Sequence, residues 1–466
     1  MKRVFSTVLI FTLIALMILP ACAEIKTYTK GDANLDESIS VVDVALMRAY
    51  IVKSTTLNPE KQKVADVNGD GEIGIADVVM LRAHIIGSYE IKDTIKADRD
   101  LYPYDELTSK TFSATEDYVK TQGRTYYLDD CMWLIQSASS IEFNFTGTKG
   151  SVIVHGDQNC FDSWAKNSLC RIGIFVNDEM VVDELVDNYV KEYTFLDTEK
   201  EVNANVKIVK LSDPQQSVVG INKIKVTSRG DITPLPEKDL KIEFIGDSIT
   251  CGIGVDDPHV DGVYCTASCN ATKTYAYKLA TDFDADYSFF AYSGYGCLSG
   301  CNGSTSLDTK QTIPPIYSTY GRSMGYLAEM QNPEELKYDF SKWQPDLVII
   351  NLGTNDNNYT KSNAEKREQF TECYLQFIKT IKSNYKNAKV LCVLGLGGAN
   401  LYTPIKNAVE QYNAETKKDD VNYLKLSPIQ EGDGEGVQHH PLEITHARAA
   451  GEIEKKLNEW LGWKTK

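Results

Sequence analysis

The sequence is short of positive charge: 49 Lys and Arg stand against 65 Asp and Glu in 466 residues, a formal net charge of -16. Such a surface repels phosphate backbones and anionic headgroups, which excludes nucleic acid as a partner. After Leu19 no stretch reaches the ~18 apolar residues needed to span a bilayer, so no transmembrane segment is expected there. The CxxC spacing of structural zinc sites is missing, and Cys265/Cys269 and Cys297/Cys301, both CxxxC, lack an adjoining histidine, so zinc is the weaker reading of them. With 42% apolar and 24% charged residues, wholesale disorder, collagen-like repeats and a small disulfide scaffold are excluded. At roughly 150 residues per domain, the length suggests about three domains.

What is present begins with Lys2 and Arg3 ahead of the apolar run Val4 to Leu19 and the small residues Ala21-Cys22-Ala23. This pattern reads as a secretory signal over residues 1–23, cut after Ala23, and it predicts an exported chain. With Lys2 and Arg3 gone the net charge of -16 becomes -18. Leu19-Pro20-Ala21-Cys22 is a competing lipobox that would leave Cys22 lipidated, although Pro20 fits it poorly. Eleven cysteines less Cys22 leave ten, an even number where disulfides are permitted. Cys160/Cys170, Cys265/Cys269 and Cys297/Cys301 are the candidate pairs, with buried free thiols as the alternative.

Residues 31–52, GDANLDESISVVDVALMRAYIV, are repeated with a shift of 34 at residues 65–86, ADVNGDGEIGIADVVMLRAHII. Asp32, Asn34, Asp36, Ser40 and Asp43 in the first copy, and Asp66, Asn68, Asp70 and Asp77 in the second, place oxygen donors at the loop spacing that wraps calcium. A helix follows each loop, with the apolar stripes Val44, Met47, Ile51 and Val78, Leu81, Ile85. The duplicated loop and helix resemble a dockerin over about residues 28–90, a small all-α module that plugs enzymes into the cohesin of a scaffoldin. The resemblance implies two structural calcium ions. It also implies a cohesin-facing surface at Val41, Val42, Arg48 and Ala49, and at Ile75, Ala76, Arg82 and Ala83. Glu37 stands where the second loop has Gly71, at a turn that favours a residue without a side chain, so weaker calcium binding is expected in loop one.

Residues 91–105 lack sustained periodicity and read as a linker. From 106 to 236 the pattern alternates with period two, as in Ile141-Glu142-Phe143-Asn144-Phe145, Val202 to Val206 and Ile221 to Val226, with Asn177-Asp178 as a turn; a β-sandwich is predicted. Trp133 and Trp164 offer a sugar platform, but aromatic residues on strand patterns are more often core.

From residue 238 onward a strand at Lys241 to Ile245 runs into Gly246-Asp247-Ser248, which places Ser248 as a candidate nucleophile at a strand-to-helix turn. Three further blocks follow: YSFFAYSG delivers Gly294, the strand Asp346 to Leu352 delivers Asn355, and His440-Pro441 precedes a last helix containing His446. Together these blocks resemble the SGNH (GDSL) hydrolases, an α/β three-layer fold with a parallel sheet. The resemblance implies that Ser248 attacks an ester carbonyl, that His440 is the general base, and that the Ser248 amide, the Gly294 amide and the Asn355 side chain hold the oxyanion. Gly296 is the alternative to Gly294. His439 and His446 read as structural, and His84, His155 and His259 have no catalytic case.

The family commonly places an Asp two or three residues before the histidine, whereas this chain has Gln438 and Val437. Asp433 or Glu435 in GDGEGVQ are possible substitutes; a backbone carbonyl supporting a Ser-His dyad is the favoured reading, with the loop acids solvated. A β-sandwich before an SGNH domain is similar to carbohydrate esterase family 2, with GRTYYLDD and SSIEFNFTGTKGSVIV as the local likeness. That resemblance implies a secreted cellulosomal esterase that removes O-acetyl groups from xylan or mannan through an acetyl-serine, without a catalytic cofactor. Tyr292, Tyr295 and Tyr402 are candidates to stack on sugar rings, with core packing the commoner role. The rival readings are an esterase for another acyl group, such as feruloyl, and an inactive carbohydrate-binding subunit.

Overall fold

The computed structural model describes residues 27–69, 71–91, 94–96 and 107–465. The leader read over residues 1–23, with Cys22, and Asp70 lie outside the described residues. The chain divides into two compact units, Met1–Glu106 and Leu107–Lys466.

In the first unit the two repeats form the helices Val41–Ile51 and Ile75–Ile85, joined by a shorter helix, Pro59–Ala65. Ser40 caps the first by accepting the Val42 amide at 3.1 Å, and Asp43 returns to the Ser40 amide at 2.8 Å. This reciprocal pair satisfies donors that a helix start leaves unpaired. Asp77 makes the same return contact to Gly74 at 2.8 Å. Val44, Met47, Val78 and Leu81 bury their stripes together with Leu57 and Val64. Within the stretch read as linker, Thr94–Lys96 pairs with Thr27–Thr29 as a two-stranded antiparallel sheet.

In the second unit, ten strands between Thr108 and Pro234 make one antiparallel sheet curled over its own core. Two of them are long, Ser140–Gly156 with 17 residues and Val190–Lys210 with 21. At about 3.3 Å per residue a straight strand of that length would outrun a small domain, so these strands must bend. Their pairing shifts register between Thr194 and Leu196 and again between Asp197 and Val202. The Asn177-Asp178 turn has φ of +50° and +67°, the left-handed pair that joins adjacent antiparallel strands. Trp133 is buried and its indole N–H donates to the Leu128 carbonyl at 3.1 Å, so it belongs to the core and offers no platform.

The remainder is a five-stranded parallel sheet. Its strands in chain order are β1 (Leu240–Asp247), β2 (Ala285–Tyr292), β3 (Leu347–Asn351), β4 (Lys389–Leu394) and β5 (Val421–Lys425), and their spatial order is β2-β1-β3-β4-β5. Both faces are covered, as a parallel sheet requires. Tyr275, Leu279, Ile453 and Leu457 pack against Ile242 and Phe244 on one face, and Phe370, Ile378 and Ile405 pack against Ile245 and Val348 on the other.

Buried side chains join the two sheets. The guanidinium of Arg124, fully buried, donates to the Tyr317 carbonyl at 2.6 Å, pairs with Glu243 at 3.4 Å and lies 4.1 Å from the centroids of Phe290 and Tyr338. Gln122 donates to Asp286 at 2.8 Å, and Lys120 pairs with the same carboxylate. Arg171 reaches Asp256 at 2.8 Å.

The cysteine pairs anticipated from spacing do not form. All ten described cysteines are thiols, and Cys297 Sγ lies 3.8 Å from Cys373 Sγ rather than against Cys301. In the short turn at Cys265 and Cys269 the second thiol meets the first residue's carbonyl, at 3.5 Å, instead of its sulfur. Cys160 Sγ donates to the Val186 carbonyl at 3.2 Å.

Candidate active site

Glycine spacing forces the turn that presents Ser248. A Cβ on Gly246 would sit 2.0 Å from Thr250 Oγ1, and Gly252 closes the four-residue helix Ser248–Cys251 in the left-handed region at φ +76°. Asp247 caps that helix by accepting the Ile249 amide at 3.0 Å. Ser248 stands at the carboxyl end of β1, only 8% exposed.

The two neighbouring strands bring the other donors to the same edge. The register pairs Asp247 with Tyr292 on β2 and Gly246 with Asn351 on β3, so Gly294 and Asn355 each follow a strand end flanking Ser248. Gly294 has φ +77°, and no protein acceptor takes its amide among the described residues. Gly296 donates its amide to the Gln311 carbonyl at 3.1 Å, so of the two glycines Gly294 keeps the open donor. Asn355 Nδ2 donates to the Tyr295 carbonyl at 2.8 Å, and a carboxamide has a second N–H to offer.

Asp356 locks these pieces together. Buried, it accepts the amides of Cys297, Leu298 and Ser299 at 3.0, 2.6 and 2.9 Å. Residues 295–299 are therefore strapped to residues 355–356 by one carboxylate and one carboxamide. Burial nevertheless pushes Asp356 up to about 6, against the pull of those amides, and pushes Asp247 up to about 7. Asp213, in the loop after the long strand Val190–Lys210, is raised by burial to about 6; it accepts the Gln215 amide at 2.9 Å and also interacts with the Ser293 amide, beside Gly294. Asp213 and Asp356 were not among the residues singled out by sequence, since a lone Asp after a strand or beside an Asn carries no motif of its own.

His440 arrives on a separate loop. Val437 donates its amide to the Asp257 carbonyl at 3.1 Å and Gln438 to the Val260 carbonyl at 2.9 Å, which fastens this loop to the segment following Ser248. Gln438 and His439 are both left-handed, with φ of +56° and +62°. His440 Nδ1 donates to the Val437 carbonyl at 2.8 Å, leaving Nε2 as the acceptor nitrogen. Burial lowers the His440 pKa, outweighing the carbonyl that raises it.

Neither acid of this loop reaches His440: Asp433 is covered and engaged elsewhere, and Glu435 stays exposed beside His439. Asp433 pairs with Arg448, accepts Thr445 Oγ1 at 2.9 Å, and is held well below the usual carboxylate range by the Arg448 hydrogen bond. Glu435 meets His439 Nδ1 at 2.5 Å. His446 is structural: it accepts the Tyr275 amide at 3.2 Å, stacks on that ring, and burial drives it down to about 3. His84 accepts the Ile91 amide at 3.1 Å, His259 lies 2.6 Å from Asp257, and His155 lies against Tyr189. Tyr292 and Tyr295 are buried, and Tyr402 is half-buried against Tyr423.

In the first unit, both repeat loops coil around their own acids. Asp32 takes the amides of Asp36 and Glu37 at 3.1 and 2.9 Å, and Asp66 takes those of Gly69 and Gly71 at 2.8 and 3.0 Å. Asp43 and Asp77 accept the Asn34 and Asn68 amides at 3.0 and 2.9 Å. Among the described residues no three His, Cys, Asp or Glu side chains converge to hold a metal. The donor set is all oxygen, with Asp32, Asp43 and Asp77 buried, which fits a hard cation. Ser40 serves as a helix cap. Val41, Val42 and Ile75 are 71%, 54% and 75% exposed, and Arg48, Ala76 and Arg82 are exposed beside them.

Three family models match the chain: Dockerin type I domain over residues 30–86, Carbohydrate esterase 2 N-terminal over 121–236, and GDSL-like Lipase/Acylhydrolase family over 244–422, a match that stops short of His440. Cellulase/esterase CelE of Acetivibrio thermocellus is 28% identical over 340 residues, 72% of this chain; the chain spans only 38% of that relative's length. An acetylxylan esterase / glucomannan deacetylase of Cellvibrio japonicus is 23% identical over 76% of this chain and 92% of its own. Among solved structures, an acetyl xylan esterase from the rumen bacterium Butyrivibrio proteoclasticus superposes with a TM-score of 0.67 at 21% identity, over 77% of this chain and 99% of its own. A family two carbohydrate esterase from Clostridium thermocellum in complex with cellohexaose gives 0.63 at 22% identity, over 74% and 99%. These likenesses establish a shared fold.

Proposed function

We propose that this chain, a carboxylic ester hydrolase with a GDSL-like acylhydrolase domain, a carbohydrate esterase 2 N-terminal domain and a type I dockerin, removes O-acetyl groups from plant cell-wall xylan or mannan. The observation that carries the proposal is the set of positions at one sheet edge: Ser248, Gly294 and Asn355 follow three adjacent strands, and a histidine oriented by a carbonyl is fastened to the segment after Ser248.

In this reading Ser248 Oγ attacks the acetyl carbonyl while His440 Nε2 takes its proton. The Ser248 and Gly294 amides and Asn355 Nδ2 stabilise the oxyanion, each worth roughly 2.7 to 4 kcal/mol when aligned with the transition state. The tetrahedral intermediate collapses, the C–O bond to the sugar breaks, and imidazolium returns its proton to the departing sugar oxygen. Water, deprotonated by His440, then attacks the acetyl-serine, and acetate leaves as Ser248 regains its proton. Val437 supplies the orienting acceptor that an Asp supplies in a triad.

Calcium would be held in loop one by Asp32, Asn34, Asp36, Ser40 and Asp43, and in loop two by Asp66, Asn68, Asp70 and Asp77. Its charge would offset the clustered carboxylates of each loop. Val41, Val42, Arg48 and Ala49, and their repeats Ile75, Ala76, Arg82 and Ala83, would face a cohesin, holding an exported enzyme on its scaffold.

The test is acetate release from acetylated xylan and from 4-nitrophenyl acetate, parent against Ser248→Ala. The expected result is turnover in the parent and a loss on the order of 10⁶-fold in the variant. No release by a folded parent on either substrate overturns the proposal.

A further inference from the structure

Away from Ser248, a groove lies where the curled sheet meets the parallel sheet. Two adjoining cavities of about 540 and 480 Å³ share Glu116, Thr125, Tyr320 and Lys342 in their walls. Asp286 and Glu237 also line it, and in the strand register Asp286 stands opposite Lys241 at the amino end of β1. Ser248 follows the opposite end of this eight-residue strand, about 25 Å away at the usual rise. No residue assigned above to ester chemistry lines the groove.

Its walls are aromatic and fixed in advance. Tyr320 packs edge-on against Tyr126 at 5.1 Å and against Tyr338 at 5.4 Å, and Arg124, itself fully buried, holds the Tyr338 ring from 4.1 Å. Tyr127, 40% exposed, and the half-buried Trp343 complete the lining. Rigid aromatic faces interleaved with side chains able to donate and accept hydrogen bonds suit a ligand with flat C–H faces and a rim of hydroxyls. Among the charged groups Lys120 is paired to Asp286 and Glu237 to Lys241 at 2.6 Å, which leaves Glu116 and Asp117 beside Lys342. That acidic balance disfavours polyanions such as nucleic acid or uronate-rich polymer.

We infer that this groove is a second saccharide site, distinct from the ester site, which binds a neutral β-linked glycan chain on Trp343, Tyr320 and Tyr127. The choice of glycan rests on the proposed deacetylase reading; the site itself does not need Ser248. Two contacts to one polymer raise the effective concentration of its acetyl groups at the catalytic edge.

The test is hydrogen–deuterium exchange on the full chain with unacetylated xylohexaose or cellohexaose at millimolar concentration, together with titration calorimetry. The groove predicts protection in peptides covering 116–127 and 338–343, and affinity at least about tenfold weaker in Trp343→Ala. Tyr127→Ala, at a more exposed position, should weaken binding in the same direction and serves as the second variant if Trp343→Ala loses its fold. Protection confined to the segments around Ser248, Gly294, Asn355 and His440 overturns the inference, as does an absence of binding or unchanged affinity in a folded variant. Acetate release by the parent is independent of each of these outcomes, so failure here and failure of the deacetylase reading are told apart.

Discussion

His440 Nδ1 lies 2.8 Å from the carbonyl oxygen of Val437, three residues earlier in its own loop. A carbonyl accepts but cannot ionise, so it fixes the tautomer without the charge that would raise the basicity of the ring. Burial, meanwhile, lowers the histidine's pKa. The base form is the active one, so kcat/KM for 4-nitrophenyl acetate should rise with pH through an ionisation below the ordinary imidazole value of 6.5. A limb centred above 7 in the pH–rate profile would contradict this arrangement.

The engaged acids give a second prediction. Removing a true triad Asp costs about 10⁴-fold in kcat. Asp433 belongs to Arg448 and Thr445, and Glu435 to His439. Asp433→Asn and Glu435→Gln should therefore each retain kcat within about tenfold of the parent, measured on 4-nitrophenyl acetate. A loss near 10⁴ in either would identify that acid as the third member.

Asp356 should behave differently. With the amides of residues 297–299 released, only the Asn355–Tyr295 hydrogen bond still ties the loop after Gly294 to the 355–356 turn. Asp356→Ala is expected to lower kcat by about 10² to 10³, the cost of a misplaced oxyanion donor, with KM little changed. Steady-state kinetics separates this from a binding defect, in which KM alone would rise.

The strands were readable because three of the four catalytic blocks follow a run of buried residues ended by glycine, and Gly246 and Gly252 occupy places where a side chain would clash or strain. The dockerin was readable because it repeats. What holds the candidate site was not. Asp213 and Asp356 act on amides 80 and about 60 residues away, Arg124 meets Glu243 across 119 residues, and Cys297 faces Cys373 rather than its neighbour Cys301. Such partners depend on topology, and spacing along one sequence shows only local geometry.

Backbone strain distinguishes the two dockerin loops. Leu35 and Glu37 have φ of +64° and +70°, where the second loop has Gly69 and Gly71 at +77° and +90°. A side chain in the left-handed region costs of order 1 kcal/mol, so loop one should close less favourably. Leu35→Gly with Glu37→Gly should tighten calcium binding at loop one several-fold, read by calcium titration of the full chain. Gly71→Glu should loosen loop two.

Acid should destabilise the second unit through His446. This imidazole is fully buried against Tyr275, and burial depresses it from 6.5 to about 3. In the unfolded chain it would bind a proton near pH 6.5, whereas the folded state resists protonation until about pH 3. Between those values the unfolded state binds more protons at this position, so stability falls as pH is lowered through the window. Asp247, raised by burial to about 7, has the opposite slope, because its folded form keeps a proton that the unfolded form has lost. The two are separated by substitution. His446→Gln removes the imidazole titration, so denaturant midpoints measured from pH 7 down to pH 4 should decline less steeply than in the parent. Asp247→Asn, which keeps an oxygen for the Ile249 amide, should remove one opposing contribution, leaving those of Asp213 and Asp356, and make the decline steeper. Parallel curves for His446→Gln and the parent would mean that His446 is already accessible to protons in the folded protein.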